Sequence, residues 1–568
     1  MTLKNPNHKQ KTQLSTTNTE NQGSQPSKTP QIFPIFTPMK RLSALLLLLT
    51  VLIFSCTKEN DNPQWDIDVL GPLAHATMGI ENLIGDSSLD INSNGAVSLI
   101  IDTSFSNFKL DSIYQIPDTT LITSQVWPPF PQVITPGQTF ISSNNNVTLG
   151  VTGVQLKSAI LQDGSIKIEI KNTLQSKILY NYTIPKALKN GIPFTVNFSV
   201  DSASISDPKY FSQTYDFSGY SIDLTGANGA LFNTLAYSVV ARSDSFGVAL
   251  SLVGGDTLLN LKTSLLGIAP NYVRGYLGQT DLSDNKSISF GFGNMISDGT
   301  ILLDSVEMKF DVTNYIGADI QAYFNSITSV NNRTGSMVAL SNSTLIQNYL
   351  NFNRATESAP ASFNVNPYLF STTLNNSNSN IKQVMENLPD SLRYDLSLQL
   401  NPLGNISGSN DFIYSDKIVD TRIQVKMPLS FAANNLTLSD TIDFEIESAT
   451  DLDPIGQSTI TLWATNGFPF DMNMQLLLLD ANGSVIDSLL VPGLIAAGVL
   501  DGNNWVTATT LTKIPIPIDD NRKQTLTNTK KIKVRAAFTT PAYPQVYQLY
   551  NSYRLDLKFI GDGEYHIR

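Results

Sequence analysis

Cysteine, histidine, charge and long apolar runs are all scarce in this chain. Its 568 residues hold one cysteine, Cys56, and three histidines. An intramolecular disulfide is excluded, and with so few ligands no metal site or cofactor is expected. Charged residues make up 15%, against about a quarter in an ordinary domain. Net charge is -11, so a nucleic-acid partner is not expected, because phosphate contacts need a basic face. The longest apolar run, Leu42 to Phe54, is 13 residues, short of the about 20 that span a bilayer. The GxxxxGK phosphate loop, the GxSxG elbow and HExxH are all absent.

What is present is a globular composition with a strand bias. Hydrophobic residues reach 41% and aromatics 9%, enough for real cores. Ser, Thr and Asn supply the missing polarity, which suits strands and turns better than helices. At roughly 150 residues per domain, the length predicts three or four domains.

The amino end carries an address. Residues 1–38 are polar and aperiodic, a leader that is disordered or lies outside the translated precursor, with initiation expected at Met39. Residues 39–55 read as a signal peptide: Lys40 and Arg41 precede the apolar run. The run closes on Ile53-Phe54-Ser55-Cys56, which resembles a bacterial lipobox, with Cys56 as the lipidated residue and a phenylalanine where a smaller side chain is usual. Thr57 to Pro63, polar and acidic, resembles the surface-export signals of Bacteroidota lipoproteins; an ordinary periplasmic tether is the other reading. Removal of residues 1–55 takes away six cations and one anion and leaves a mature charge of -16. So acidic a body is repelled by anionic head groups, and the lipid must hold it to the membrane. The implied location is the outer membrane, lipid-anchored, at the cell surface.

Beyond a tether at 56–64, alternation dominates. Val154 to Leu161 and Ser165 to Asn172, separated by Gln162-Asp163-Gly164, predict a β-hairpin. Met472 to Leu479 and Ser484 to Leu490, across Asp480 to Gly483, predict another. Arg422 to Leu429 and Arg554 to Ile560 alternate likewise. One helix is expected near 379–388: Ile381, Val384, Met385 and Leu388 share a face, Asn378 or Ser379 caps it, and Pro389 ends it.

Three segments align. Ile166 to Ile178, Met308 to Ile320 and Ile460 to Met472 each place three alternating apolar residues before an asparagine, Asn172, Asn314 or Asn466, with apolar anchors two and six residues on. Asparagine tolerates αL geometry and bonds its own backbone, which suits a corner between sheets. The motif resembles the strand–Asn–strand signature of late-embryogenesis-abundant type 2 sandwich domains. The expected fold is all-β: a small strand-rich domain at 65–150, then tandem β-sandwich-like domains at 151–295, 296–445 and 446–568.

Candidate sites are few. Trp463, flanked by Thr461 and Thr465 on the outward face of its strand, is the candidate ligand contact, either stacking on a sugar or packing under a neighbour. Ser112, Thr119, Ser202, Thr257, Ser305, Ser391, Thr441 and Ser488 each follow an aspartate. They resemble the O-glycosylation sequons of Bacteroidota exported proteins, although Asp-Ser and Asp-Thr also start strands after turns. Asp90 to Gly95 copies half of a calcium loop, but Ile101 stands at the twelfth position, so a hairpin is expected. Ser206 to Lys209 and Ser283 to Asn285 resemble two penicillin-binding-protein motifs; Pro208 interrupts the first and KTG is lacking. His75 and His566 lie at opposite ends of the chain. The expected function is a lipid-anchored envelope binding or adhesion protein without catalysis, taking a glycan or protein ligand. The alternatives are an envelope structural or apolar-ligand carrier and a carboxylate-based hydrolase.

Overall fold

The structure, a computed structural model, describes residues 65–81, 88–104, 116–290, 296–444 and 455–567. Leader, signal peptide, Cys56, tether and Ser112 lie outside these residues. Trp65–Ile567 form one compact unit, and its secondary structure is overwhelmingly antiparallel β, as expected.

Twenty-four strands build three sandwiches of eight. Along the chain they are β1 (Trp65–Gly79), β2 (Val97–Ser104), β3 (Thr119–Val126), β4 (Thr139–Thr148), β5 (Gln155–Asn172), β6 (Ile178–Lys189), β7 (Ile192–Val200) and β8 (Lys209–Asp216). Then come β9 (Thr234–Ser243), β10 (Thr257–Tyr276), β11 (Thr280–Ser289), β12 (Glu307–Asn314), β13 (Ile320–Val330), β14 (Tyr349–Phe352), β15 (Tyr368–Leu374) and β16 (Ser391–Leu400). The last eight are β17 (Val419–Pro428), β18 (Ser430–Asp443), β19 (Ile455–Asn466), β20 (Asp471–Leu479), β21 (Val485–Leu490), β22 (Thr510–Ile518), β23 (Lys531–Thr539) and β24 (Arg554–Ile567). Strands outside these twenty-four are named by range.

The first sandwich pairs β3-β10-β5-β8 against β4-β9-β6-β7; Ser221–Asp223 bridges β5 and β6 and joins the two sheets. The second pairs β2-β17-β12-β15 against β11-β16-β13-β14, and the third β1-β24-β19-β22 against β18-β23-β20-β21. Within every sandwich the order is first–eighth–third–sixth in one sheet and second–seventh–fourth–fifth in the other. That is the order of a jelly roll, which buries the two inner faces against each other.

The first strands are supplied in reverse. Only the first sandwich is contiguous, from β3 to β10. The second takes its opening strand, β2, from before the first, and the third takes β1 from before both. β1 runs antiparallel to β24 from Trp65↔Ile567 to Gly79↔Arg554. Residues 65–150 therefore form no domain of their own: their main strands complete three different sandwiches. The other expected boundaries shift for a related reason, since β4, β11 and β18 each open the second sheet of the following sandwich.

Alternation sets the cores. In β5, Ile166, Ile168 and Ile170 are buried, as are Met308, Phe310 and Val312 of β12 and Leu462 and Ala464 of β19. The predicted hairpin at 154–172 is instead one continuous strand, β5. β10 pairs along both of its arms, with register shifts near Ala269 and Pro270. At Gly164 the backbone passes so near Ile268 that a Cβ would approach its Cδ1 to 2.7 Å. The turn signal there marks a bend within a strand that has a partner on each arm. The hairpin at 472–490 forms as β20–β21, and Leu89–Ile91 pairs with Val97–Leu99 across the half calcium loop.

The expected helix is α1 (Ile381–Glu386), with Ile381, Val384 and Met385 buried. Asn380 occupies the cap position but its side chain bonds Ala339 and Ser341 instead of the helix, while Ser379 Oγ accepts from the Ile381 N–H at 3.4 Å. Leu388, before Pro389, turns to φ +50°. A second helix, α2 (Asp520–Asn528), was not expected; the Asp519 side chain caps it by accepting from the Arg522 N–H at 2.9 Å. On the edge strand β22, Pro515 and Pro517 stand exposed between buried isoleucines, which blocks further strand addition.

Two short strands weld neighbours together. Asp411–Tyr414, from the second sandwich, extends the first along β10. Ile296–Leu303, between β11 and β12, extends the third along β18.

Candidate functional site

The three corner asparagines fix the repeated frame. Asn172 is 2% exposed, and Asn314 and Asn466 are fully buried. Each side-chain oxygen accepts from the N–H two residues on: Leu174 at 3.0 Å, Ile316 at 2.9 Å and Phe468 at 2.8 Å. Each amide nitrogen donates to the carbonyl four residues on, in Ser176, Ala318 and Phe470. It donates again to a distant carbonyl, of Asp201, Asn353 or Ala496. None of the three takes positive φ. The corner is held by the expected side-chain bonds to local backbone, without the left-handed geometry.

Nine residues past each corner asparagine stand Asn181, Tyr323 and Gln475. All three point outward from the fourth strand of their sandwich, and in the first two this address lines an open groove. The first groove, about 560 Å³, is lined by Thr139, Leu179, Asn181, Asn197, Val240 and Arg242 among others. The second, about 440 Å³, is lined by Asp281, Ser283, Gln321, Tyr323, Tyr349 and Gln399 among others. Both lie within the size range of ligand sites. In the first, Asn181 donates to Asn197 at 2.8 Å. In the second, tyrosines replace both: Tyr323 and Tyr349 are cross-strand partners with ring centroids 5.1 Å apart. Gln321 donates to Asn351 at 2.8 Å and Gln399 to Asp281 at 2.9 Å. In the third sandwich Gln475 is spanned by Arg535, which donates to it at 3.1 Å, and it donates to Ser488 at 3.0 Å.

Of the residues singled out from sequence, Ser283 lines the second groove and Ser488 accepts from Gln475; the others fall elsewhere. Trp463 is half-buried on the outward face of β19, with Thr461 and Thr465 beside it. Lys513 and Lys558 are its cross-strand partners. The Lys513 ammonium sits 3.7 Å from the ring centroid, so a cation already occupies one ring face. Of the aspartate-preceded hydroxyls, Ser202, Thr441 and Ser488 are exposed, and Thr119, Thr257, Ser305 and Ser391 are half-buried. Thr119, Thr257 and Ser391 open strands, as the turn reading has it. Trp127 braces its own loop, donating to the Phe130 carbonyl at 2.7 Å.

His75 and His566 belong to strands that do meet, β1 and β24, but in register with Lys558 and Asp66, far apart along the ribbon. Ser206 and Ser283 lie in different sandwiches. Two described carboxylates share one arginine at the junction of the first two sandwiches. Arg354 bonds Asp319 at 2.7 Å and Asp411 at 3.5 Å. Asp411, fully buried, also accepts from Asn401 at 2.8 Å and the Leu277 N–H at 3.1 Å. Nearby, buried Glu357 accepts from Arg274, from Tyr272 at 2.9 Å and from Tyr414 at 2.7 Å. Burial pushes the Tyr272 hydroxyl up to about 12 and raises that of Tyr414 as well. These carboxylates are fully engaged in fastening one sandwich to the next.

Apart from Ser283, picked out for an unrelated motif, the groove residues of the second sandwich were not found from the sequence. Period-2 alternation counted from Asn314 would have placed Gln321 and Tyr323 outward; their partners on β14 and β16 had no such signal.

No protein-family model matches the chain, and no curated protein matches it. Among solved structures, a Parabacteroides distasonis protein described as secreted matches at 12% identity and TM-score 0.26, over 51% of this chain and 89% of that one. A protein of Sulfolobus turreted icosahedral virus matches at 10% identity and TM-score 0.11, over 79% and 90%. One of infectious bursal disease virus matches at 8% and 0.12, over 88% and 82%. Scores this low do not establish a shared fold.

Proposed function

We propose that this is a lipid-anchored cell-envelope binding protein of the Bacteroidota type, presenting ligand grooves on a body of three jelly rolls and doing no chemistry itself. The observation that carries the anchor is the position of the single cysteine, directly behind a 13-residue apolar run. Among the described residues no helix is long and apolar enough to cross a membrane, so in this reading attachment depends on acyl chains at Cys56. Nine residues, 56–64, then lead into β1. The binding part of the reading rests on the two open grooves at one repeated address, with the acidic body favouring a neutral or cationic ligand.

The carrier reading, suggested by the late-embryogenesis-abundant resemblance, draws on an apolar cavity of about 70 Å³ between the second and third sandwiches. Leu99, Met385, Met427, Phe431, Phe470 and Phe538 are among the residues lining it. That is smaller than the roughly 150 Å³ that accommodates benzene, and far from the volume of an acyl chain.

Cell fractionation tests the anchor. Cys56→Ser should move the protein from the membrane pellet to the soluble fraction. If the variant stays in carbonate-washed membranes, the anchored reading fails.

A further inference from the structure

We propose that the groove of the second sandwich binds a neutral oligosaccharide, with Tyr323 and Tyr349 as the stacking platform. This rests on reading the chain as a binding protein and names the ligand class. The groove crosses four adjacent strands, β11, β16, β13 and β14, in two rows set by register.

The first row is polar. Asp281 faces Gln399, Gln399 faces Gln321, and Gln321 faces Asn351. The second row steps from small to large. Ser283 faces Ser397, Ser397 faces Tyr323, and Tyr323 faces Tyr349. The serines leave the depression and the two rings form its far wall. Three strand spacings make each row about 14 Å long, the dimension of an oligosaccharide and not of a single sugar.

The chemistry of the two rows is complementary to a pyranose chain. A sugar ring presents an apolar C–H face and an equatorial belt of hydroxyls. Tyrosine offers a rigid apolar face with a polar tip, and Tyr349 is 66% exposed. The hydroxyl belt needs donors and acceptors in one line, which the amides of Gln399, Gln321 and Asn351 and the Asp281 carboxylate supply together. Neither lysine nor arginine lines this groove, and Asp281 opposes an anionic polymer. The first-sandwich groove is the internal control. It has the same address, but Asn181 and Asn197 stand where the rings are, bonded to each other, and Arg242 lines it.

Calorimetry on the full mature chain carrying Cys56→Ser, titrated with cellohexaose, xylohexaose and mannohexaose, tests this. At least one should bind with one site per chain. Tyr349→Ala and Tyr323→Ala should each weaken that binding about tenfold, Tyr349→Phe should keep it, and Tyr210→Ala, at an exposed tyrosine outside both grooves, should leave it unchanged. Tyr349 is exposed enough that its alanine variant should unfold with the parent, which keeps the test open if Tyr323→Ala misfolds. No binding by any of the three hexasaccharides, or binding that Tyr349→Ala leaves within twofold, overturns the proposal. In that event release of Cys56→Ser from membranes still stands as an independent measure of the anchored reading.

Discussion

The first and third sandwiches have the same eight strands in the same places, yet the chain reaches those places by different routes. The first is written continuously from β3 to β10. The third gathers seven strands between residues 430 and 567 and takes its eighth, β1, from residues 65–79. The difference teaches that register is set by side-chain pattern and not by chain proximity. A strand whose apolar face fits an open edge completes that edge wherever it lies in sequence. It also predicts different folding behaviour. The contiguous sandwich closes by pairing Thr119 with Leu265, whereas the third must wait for the far longer-range pairing of Trp65 with Ile567.

The largest expected effect comes from removing β1. A chain lacking residues 65–79 leaves β24 as a bare edge. Amides of β24 and β19 should then exchange with deuterium orders of magnitude faster, while β5 and β10 keep their protection. Equal loss in both sandwiches would mean the three do not behave as separate jelly rolls.

Next in size are the corner asparagines. Each makes three side-chain hydrogen bonds in a buried site, so replacing any one by alanine should cost about 2–4 kcal/mol in urea unfolding. Asn172, Asn314 and Asn466 should give similar losses if the sandwiches are equivalent. A loss below about 1 kcal/mol at Asn466 alone would break that equivalence.

The smallest effect is electrostatic. Lys167 bonds Glu169 at 2.9 Å, and its counterpart Lys309 bonds Asp311 at 2.9 Å. The bond from Lys167, helped by Lys262, holds the Glu169 carboxyl below its usual 4.5. At Asp311 burial is the largest single influence and raises the carboxyl, but the bonds from Lys309 and Ser371 and the charges of Lys309 and Arg422 together outweigh it and hold the carboxyl below 3.8. A depressed folded value stabilises above the unfolded value and is lost as pH falls through the folded one. Lys167→Met should therefore narrow the difference in urea midpoint between about pH 6 and about pH 3. An unchanged difference would remove this pair from the pH dependence.

How much of this was legible follows from the same comparison. The inward face of β5, β12 and β19 and the three asparagines could be read because a period of two and a fixed offset are local signals. The matching of Lys167 with Lys309 and of Glu169 with Asp311 could be read for the same reason. The assignment of β1, β2 and β3 to three different sandwiches could not, because nothing within those segments names a partner hundreds of residues away. The Asp163-Gly164 signal misled because a bend inside a long strand and a hairpin turn ask for the same residues; only the presence of β10 along both arms decides between them. The groove was hidden because Tyr323 and Tyr349 lie on strands whose adjacency is tertiary, while Trp463, the more conspicuous aromatic in sequence, has a lysine over its ring.

The nested arrangement itself has a direct test. In a Cys56→Ser background, three cysteine pairs can be introduced at facing positions: Thr120→Cys with Ser264→Cys, Asp102→Cys with Gln424→Cys, and Thr77→Cys with Asp556→Cys. They report on the opening strand of the first, second and third sandwich respectively. Mild oxidation followed by mass mapping should show an intramolecular disulfide in all three. If the 120–264 pair closes while 102–424 and 77–556 remain free thiols in the folded protein, the reverse-order supply of opening strands is wrong.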